Sequence, residues 1–282
     1  MVASPVPRGP TCYVASMKLP KIGFGTAKLS GTQCVEAIAG ALDAGYRLLD
    51  SAFNYANEGA VGAAVRRSSI PREDILVTSK LPGRYYQRDL ALPMVQESVY
   101  RTGLEYIDLY LLHWPNPSTD LYVEAWQTLV EARQQGLVRE IGVCNFLPEH
   151  LERIERETGV RPVVNQIELH PYFPQTEALA HHADRGILTQ SWCPLRRGDL
   201  LEHPVITGVA AEHGITPAQA VLAWHVAVGA IPLPRSASAE RQRENLAATE
   251  IRLRPADVDR ITALGRPDGR LKDQDPAVYE EY

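Results

Sequence analysis

Residues 48–55 read Leu-Leu-Asp-Ser-Ala-Phe-Asn-Tyr, a short apolar run that ends in a carboxylate and, five residues later, in a phenol. Asp50 stands where a buried strand would leave the core, so its carboxylate needs a cation nearby. Two further apolar runs end in the same way, at Lys80 and at His113. The spacing of about thirty residues between these runs is that of a strand followed by a helix and a return strand. The chain is therefore organised as repeated strand and helix units.

Apolar, strand-like runs continue along the chain, at residues 22–26, 48–50, 75–80, 106–112, 138–145, 163–167, 187–192 and 230–234. They are short and almost continuously apolar, as in parallel strands that are buried on both faces. Eight such units in 282 residues predict an α/β fold, a closed (β/α)8 TIM barrel. We expect a single domain over residues 1–282, with an irregular or hairpin N-terminus (1–21) and a short polar tail (266–282) that lies over the surface.

Composition excludes several classes of function. The net charge is −5 and no tract of Lys or Arg occurs, so nucleic acid is not an expected partner. No apolar run has the length of a membrane span, and the first residues show no signal peptide. The four cysteines are isolated and the histidines, including His181 and His182, follow no ligand spacing. We expect a cytoplasmic monomer with reduced thiols, surface histidines and no metal site.

Polar side chains follow the strands at the end where the active site of such a barrel lies. They are Thr26, Asp50, Tyr55, Lys80, His113, Asn145, Gln166, Trp192, Arg235 and Ser236. A phenol with a pKa of ~10 donates its proton poorly unless a cation stabilises the phenolate. Lys80 supplies that charge, Asp50 holds the ammonium, and His113 orients a substrate oxygen. The set predicts general-acid catalysis at a carbonyl group, although each residue alone also fits a packing or capping role.

Eight motifs extend the argument from single residues to a family. They are GFGT (23–26), LDSAFNYANE (49–58), VTSKL (77–81), DLYLLHWP (108–115), IGVCNF (141–146), NQIELHPY (165–172), WCPL (192–195) and PRSASAERQREN (234–245). With them the sequence resembles the aldo-keto reductase family, in particular its bacterial diketogluconate-reductase-like branch. The resemblance implies a carbonyl reductase that takes a hydride from NADPH, or runs the reverse oxidation with NADP, on small carbonyl substrates.

The resemblance also implies a role for each site residue. Tyr55 would be the acid, tuned by Asp50 and Lys80, and His113 would position the carbonyl. Cofactor contacts are implied for Thr26, Asn145, Gln166, Trp192, Leu195, Arg235, Ser236, Arg241, Glu244 and Asn245. Among these, Arg235, Ser236 and Arg241 would hold the adenosine 2′-phosphate, and a helix start capped by Ser238 suits such an anion.

Several positions depart from the family pattern. Cys144 and Cys193 stand where serines are usual, Arg196 replaces a glycine, and Arg235 replaces a lysine. Ala27 and Pro82 replace frequent pocket aromatics, so we expect a roomier substrate site with Phe53 and Trp114 as its walls.

Two other functions fit parts of the pattern. The first is a class I aldolase that uses Lys80 as a Schiff-base nucleophile in the same fold. The second is a non-catalytic NADPH-sensing binding module, as in channel-associated relatives of the family.

Overall fold

The computed structural model describes residues 19–272 and 274–282, and these residues form one parallel sheet surrounded by helices. Its strands are β1 (Phe24–Gly25), β2 (Leu48–Asp50), β3 (Leu76–Leu81), β4 (Ile107–Leu112), β5 (Val138–Cys144), β6 (Val164–Glu168), β7 (Leu188–Trp192) and β8 (Ala230–Pro232). Each strand pairs in parallel with the next along the chain. This arrangement confirms the predicted (β/α)8 fold.

Ten helices occur in the described part of the chain. They are α1 (Gly31–Ala44), α2 (Glu58–Arg67), α3 (Arg88–Thr102), α4 (Tyr122–Gln134), α5 (Pro148–Thr158), α6 (Thr176–Arg185), α7 (Pro204–His213), α8 (Pro217–Ala227), α9 (Ala239–Ala247) and α10 (Pro255–Thr262). The starts of α8 and α9 follow ordinary capping chemistry. Thr216 and Gln219 form a capping box at α8, and the Ser238 hydroxyl accepts from the Arg241 amide at α9. None of these helices has the length and hydrophobicity of a membrane span.

The ring of strands closes between its first and last members. The amide of Gly23 donates to Pro232 O and the amide of Gly25 donates to Pro234 O, each at 3.0 Å. This close approach requires glycine, because a Cβ on Gly25 would lie 2.8 Å from the carbonyl oxygen of Leu233. The two glycines of the GFGT motif thus let the barrel close without a side chain between the strands.

Two local features of the helices are not marked by the strand-like runs. The segment between β7 and α8 contains the helix α7, whose Ile206 and Val209 are fully buried. At the start of α4 Leu121 occupies the N-cap position, and the neighbouring Asp120 carboxylate pairs with Arg153. The expected hairpin near Cys12 lies outside the described residues.

The prediction of surface histidines is wrong for four of them, because His150, His170, His182 and His225 are buried. His182 belongs to α6, is 2% exposed, and faces the sheet. Its Nε2 accepts from the Asn165 amide at 2.9 Å, and its Nδ1 lies 2.8 Å from the Thr189 hydroxyl. These partners suit a neutral ring, and burial, with the neighbouring His181, lowers the pKa of His182 to about 4.

His182 should therefore make the fold sensitive to acid. Because its folded pKa of about 4 lies below the ordinary value of 6.5, the unfolded chain takes up the proton first, and stability falls as the pH drops from 6.5 towards 4. We expect the loss in unfolding free energy between pH 7 and pH 5 to be about 2 kcal/mol smaller in His182→Asn than in the unaltered protein. Urea unfolding at both pH values measures this difference, and equal losses in the two proteins would contradict it.

Candidate active site

The strand ends β2 and β3 place a buried ion pair at the centre of the site. The Lys80 ammonium donates to both carboxylate oxygens of Asp50 at 2.9 Å and to the carbonyl of Ser51 at 2.7 Å. Lys80 is completely buried and Asp50 is 5% exposed. Gln166 on β6 donates a further hydrogen bond to Asp50 Oδ1 at 2.8 Å. The two charges therefore satisfy each other in an environment where neither could stay unpaired.

This pairing keeps Lys80 in its charged form. Burial by itself lowers the pKa of an ammonium, but the Asp50 carboxylate, assisted by the Tyr55 phenol, outweighs it and raises the pKa of Lys80 above its usual value. Lys80 is thus a fixed positive charge at neutral pH.

Tyr55 lies beside this charge, in the short 3-10 turn Phe53–Tyr55 that follows β2. The Lys80 nitrogen is 5.0 Å from the centroid of the Tyr55 ring, and the His113 ring is 6.2 Å from it, edge to face. The structure brings all four predicted catalytic side chains, Asp50, Tyr55, Lys80 and His113, into one place.

The pKa of the Tyr55 phenol is higher than the sequence predicted, because the charge of Lys80 was expected to lower it. Burial raises the pKa of Tyr55 to about 12, although the charge of Lys80 acts in the opposite direction. Desolvation of the phenolate outweighs the attraction of the ammonium, since Asp50 cancels part of that charge. In this state Tyr55 holds its proton at neutral pH.

A cavity of about 690 Å³ connects these side chains to the barrel rim. Its walls include nearly all the predicted site residues, namely Asp50, Tyr55, His113, Trp114, Asn145, Gln166, Trp192, Leu195, Arg235, Ser236, Arg241, Glu244 and Asn245. Lys80 lies beneath it, against Asp50. One continuous cavity thus joins residues from the ends of most strands.

Two predicted residues are placed elsewhere. Thr26 is fully buried, and its hydroxyl donates to the carbonyl of Asp50 at 2.9 Å, so the side chain supports the strand end and does not line the cavity. Phe53 is also absent from the cavity wall. The Arg101 guanidinium lies 3.9 Å from its ring centroid, and the Tyr85 ring packs against it at 5.4 Å. Sequence alone could not show which way these side chains turn at the end of a strand.

Amide and indole groups form a linked set on the β5, β6 and β7 side. The Trp192 indole donates to Asn145 Oδ1 at 2.8 Å, and Asn145 Nδ2 donates to the carbonyl of His113 at 3.1 Å. Asn145 adopts a left-handed backbone conformation with φ of 63°, which asparagine tolerates better than most residues. The Cys144 thiol lies 3.2 Å from Asn145 Nδ2, and burial raises its pKa, so it remains a thiol.

The rim of the cavity is cationic. Five basic side chains line the cavity in the described part of the chain, and they are Lys28, Arg197, Arg235, Arg241 and Lys272. Of these five, the family resemblance implies a role only for Arg235 and Arg241. Arg196, which departs from the family pattern, turns away to pair with Asp199 and to lie over the Tyr172 ring. Such an excess of basic groups suits a ligand with several negative charges.

The tail contributes residues that the sequence argument missed. We expected residues 266–282 to lie over the surface, but Glu281 is only 7% exposed and lines the cavity beside His113. Tyr279 also lines it, with its ring 4.5 Å from that of Trp114. No local sequence pattern marks these contacts, because they join the chain end to loops more than 160 residues away.

Comparison with known proteins decides the family. The model of the Aldo/keto reductase family matches residues 21–266, which include every strand of the barrel. The chain belongs to the aldo/keto reductase family. This membership confirms the resemblance drawn from the eight motifs.

Its relatives in this family cover almost the whole chain. It is 48% identical over 260 residues to 2,5-diketo-D-gluconic acid reductase B of Corynebacterium sp. (strain SHS752001), covering 92% of this chain and 93% of the relative. It is 40% identical over 265 residues to methylglyoxal reductase DkgA of Salmonella typhimurium, covering 93% and 94%. Among solved structures, a mutant of Gox0644 in complex with NADPH has a TM-score of 0.88 at 39% identity, covering 93% of this chain and 95% of that one.

The buried ion pair yields a test that does not depend on activity. Lys80→Met leaves the Asp50 carboxylate buried without its cation, and we expect a loss of about 3–5 kcal/mol in unfolding free energy. Adding Asp50→Asn should recover part of this loss, because the uncompensated charge is then removed. Urea unfolding of the single and double variants measures the coupling, and additive losses would argue against a coupled pair.

Proposed function

We propose that this protein reduces aldehydes or ketones by hydride transfer from NADPH, with Tyr55 as the general acid, and that it also runs the reverse alcohol oxidation. The chain is an NADP-dependent oxidoreductase of the aldo/keto reductase family. The observation that carries the mechanism is the convergence of Tyr55, His113 and the Lys80–Asp50 pair on one cavity with a cationic rim.

The residues of the cavity fit the proposed cofactor. NADPH carries a pyrophosphate and a 2′-phosphate, and the five basic side chains of the rim supply charge for both. Arg235 and Arg241, with Ser236 at the approach to α9, would hold the 2′-phosphate, while Glu244 and Asn245 would lie near the adenine. Asn145 and Gln166 would hydrogen-bond the carboxamide, Trp192 would stack on the nicotinamide ring, and Leu195 would contact the cofactor from its loop. Bound NADPH would supply the hydride.

The protein's own groups would handle the proton. A carbonyl oxygen bound between Tyr55 and His113 gains negative charge as its carbon is reduced, and the phenol then donates its proton to that oxygen. Tyr55 is protonated at neutral pH, as a general acid must be, but burial raises its pKa to about 12 and so makes proton donation harder than from an exposed phenol. Lys80 would stabilise the phenolate that remains, because its positive charge is fixed by Asp50. Oxidation of an alcohol would use the same groups in reverse.

The aldolase alternative fits these contacts poorly. A Schiff-base lysine must be neutral to attack a carbonyl. Lys80 is completely buried, donates to three oxygens, and has a pKa raised above its ordinary value. A role as a fixed charge therefore accounts for Lys80 better than a role as a nucleophile. A sensing module without catalysis would leave the convergence of Tyr55 and His113 without a use.

The substrate class follows from the relatives and from the wall of the cavity. The names of two relatives point to a sugar-acid diketone and to methylglyoxal, so we propose small dicarbonyls as substrates of this chain. Trp114 and Tyr279 would form the apolar wall for them. We further propose that the protein acts as a cytosolic monomer, in keeping with the free thiols of Cys34, Cys144 and Cys193.

Replacing the proposed acid tests the mechanism. Tyr55→Phe removes one hydroxyl, and we expect kcat for the reduction of methylglyoxal to fall by at least a thousandfold while the Kd for NADPH changes less than threefold. The oxidation of NADPH, followed by absorbance, measures kcat, and fluorescence titration measures Kd. Tyr100→Phe, at a position that is 76% exposed, serves as the control. Full activity of Tyr55→Phe would reject Tyr55 as the acid.

Replacing an arginine of the rim tests cofactor choice. Arg241→Gln should raise the KM for NADPH about 10- to 100-fold, the cost of one lost contact to a charged group, and leave the KM for NADH nearly unchanged. Arg243→Gln, on the same helix but outside the cavity wall, is the matched control. Equal effects on the two cofactors would contradict a 2′-phosphate site at this helix.

A further inference from the structure

Residues 280–282 lie across the mouth of the barrel and are hydrogen-bonded to its loops. Asn116 donates to the carbonyl of Glu281 at 2.8 Å and accepts from its amide at 3.1 Å. The Glu280 carboxylate accepts from the Ser118 amide and the Thr119 hydroxyl, and Tyr282 O accepts from Arg84 at 3.3 Å. These contacts with the loops after β3 and β4 hold residues 280–282, which we call the terminal strap.

The strap inserts one carboxylate into the substrate end of the cavity. Glu281 Oε1 accepts from Asn54 Nδ2 at 2.8 Å, and Oε2 accepts from the Gly83 amide at 3.3 Å. Oε1 also lies 2.7 Å from His113 Nδ1, which makes the His113 ring a close polar neighbour of the carboxylate. Donors from two loops thus hold the side chain beside the proposed carbonyl site.

The charge of Glu281 has no fixed cation in direct contact within the described residues. Lys80 is committed to Asp50. The two arginines near Phe53 point to other groups, since Arg101 pairs with Glu97 and Glu58 and Arg84 lies over the Tyr85 ring. None of the five basic residues of the cavity wall forms an ion pair with Glu281 in the described part of the chain, and two of them, Arg235 and Arg241, lie after β8 and in α9, where the 2′-phosphate is proposed to bind. A substrate beside His113 would therefore meet the Glu281 carboxylate, whose close polar neighbours are the Asn54 amide, the Gly83 amide and the His113 ring.

We propose that Glu281 determines substrate specificity by charge, so that the enzyme favours neutral and cationic carbonyl compounds over those with a carboxylate next to the reacting carbonyl. The inference rests on the proposed function, because it concerns the substrate of that reaction. An α-keto acid would bring its carboxylate towards Glu281 in a partly buried cavity, where like charges a few ångströms apart repel strongly. A neutral ester of the same acid lacks this repulsion.

Pyruvate and methyl pyruvate provide a matched pair of probes, since they share the reacting ketone and differ in charge. We would measure kcat/KM for both with NADPH, in the unaltered enzyme and in Glu281→Gln. We expect the ratio of pyruvate to methyl pyruvate to rise about tenfold in Glu281→Gln, with most of the change in the pyruvate term. Comparing this ratio between the unaltered enzyme and Glu281→Gln cancels the different intrinsic reactivity of the two ketones.

Three further variants make the test specific. Glu280→Gln removes the same charge one residue away, where the carboxylate binds Ser118 and Thr119 outside the cavity wall, and should leave the ratio unchanged. Glu281→Asp keeps the charge and should retain most of the discrimination. Glu281→Ala lacks the carboxylate in the full-length chain and should show the same rise as Glu281→Gln, even if the amide variant folds poorly.

The outcomes separate this inference from the proposed function. If the unaltered enzyme reduces methyl pyruvate but the ratio is unchanged in both Glu281→Gln and Glu281→Ala, the charge of Glu281 does not select substrates and the inference is overturned. If neither methyl pyruvate nor methylglyoxal is reduced by the unaltered enzyme, the proposed function itself fails. A tenfold rise in the ratio of pyruvate to methyl pyruvate that occurs only in Glu281→Gln and Glu281→Ala supports the inference.

Discussion

The buried contact between Lys80 and Asp50 is the interaction on which the site depends. Neither charge could stay in the interior without the other, since an isolated buried ion costs several kcal/mol. The pair therefore fixes how the end of β2 sits against the end of β3. Lys80 also donates to the carbonyl of Ser51, at the start of the turn that carries Tyr55. The Lys80 ammonium thus fixes the positions of the Asp50 carboxylate and the Ser51 backbone. Through the Ser51 backbone it also positions the turn that carries Tyr55.

A second layer of hydrogen bonds keeps the loops of the rim in place. Asn57 donates to the carbonyls of Thr26 and Leu29 and accepts from the Ser51 hydroxyl at 2.7 Å. This buried amide joins the loop after β1 to the loop after β2. On the other side, Gln166 connects β6 to Asp50 and to Gln190. The site is therefore held by side chains from several strands, so its geometry does not depend on any one loop.

The carboxyl-terminal tail changes how the site is understood. Within the matched region of residues 21–266, the barrel supplies the proposed acid, a fixed charge and four of the five basic side chains that line the cavity. The tail lies beyond that region and adds Tyr279 and Glu281 to the substrate side. The proposed chemistry is thus a property of the strand ends, and the proposed choice of substrate is a property of the chain terminus that covers them.

The sequence by itself predicted the eight strands, their parallel barrel and the four residues of the proposed catalytic group. It could do so because hydrophobic periodicity and capping residues act over short distances, and because parallel strands of a barrel present their ends at one rim. The eight motifs also led to the correct family.

Only the tertiary structure decided which polar side chains face the cavity and how charge and burial together set their pKa values. Thr26 and Phe53 follow strand ends as the others do, but they face away from the cavity, because neighbouring backbone and side chains give them closer partners. The raised pKa of Tyr55 reflects burial that no motif records. The position of Glu281 arises from contacts between residues more than 160 positions apart, and such contacts depend on packing that local sequence patterns do not encode.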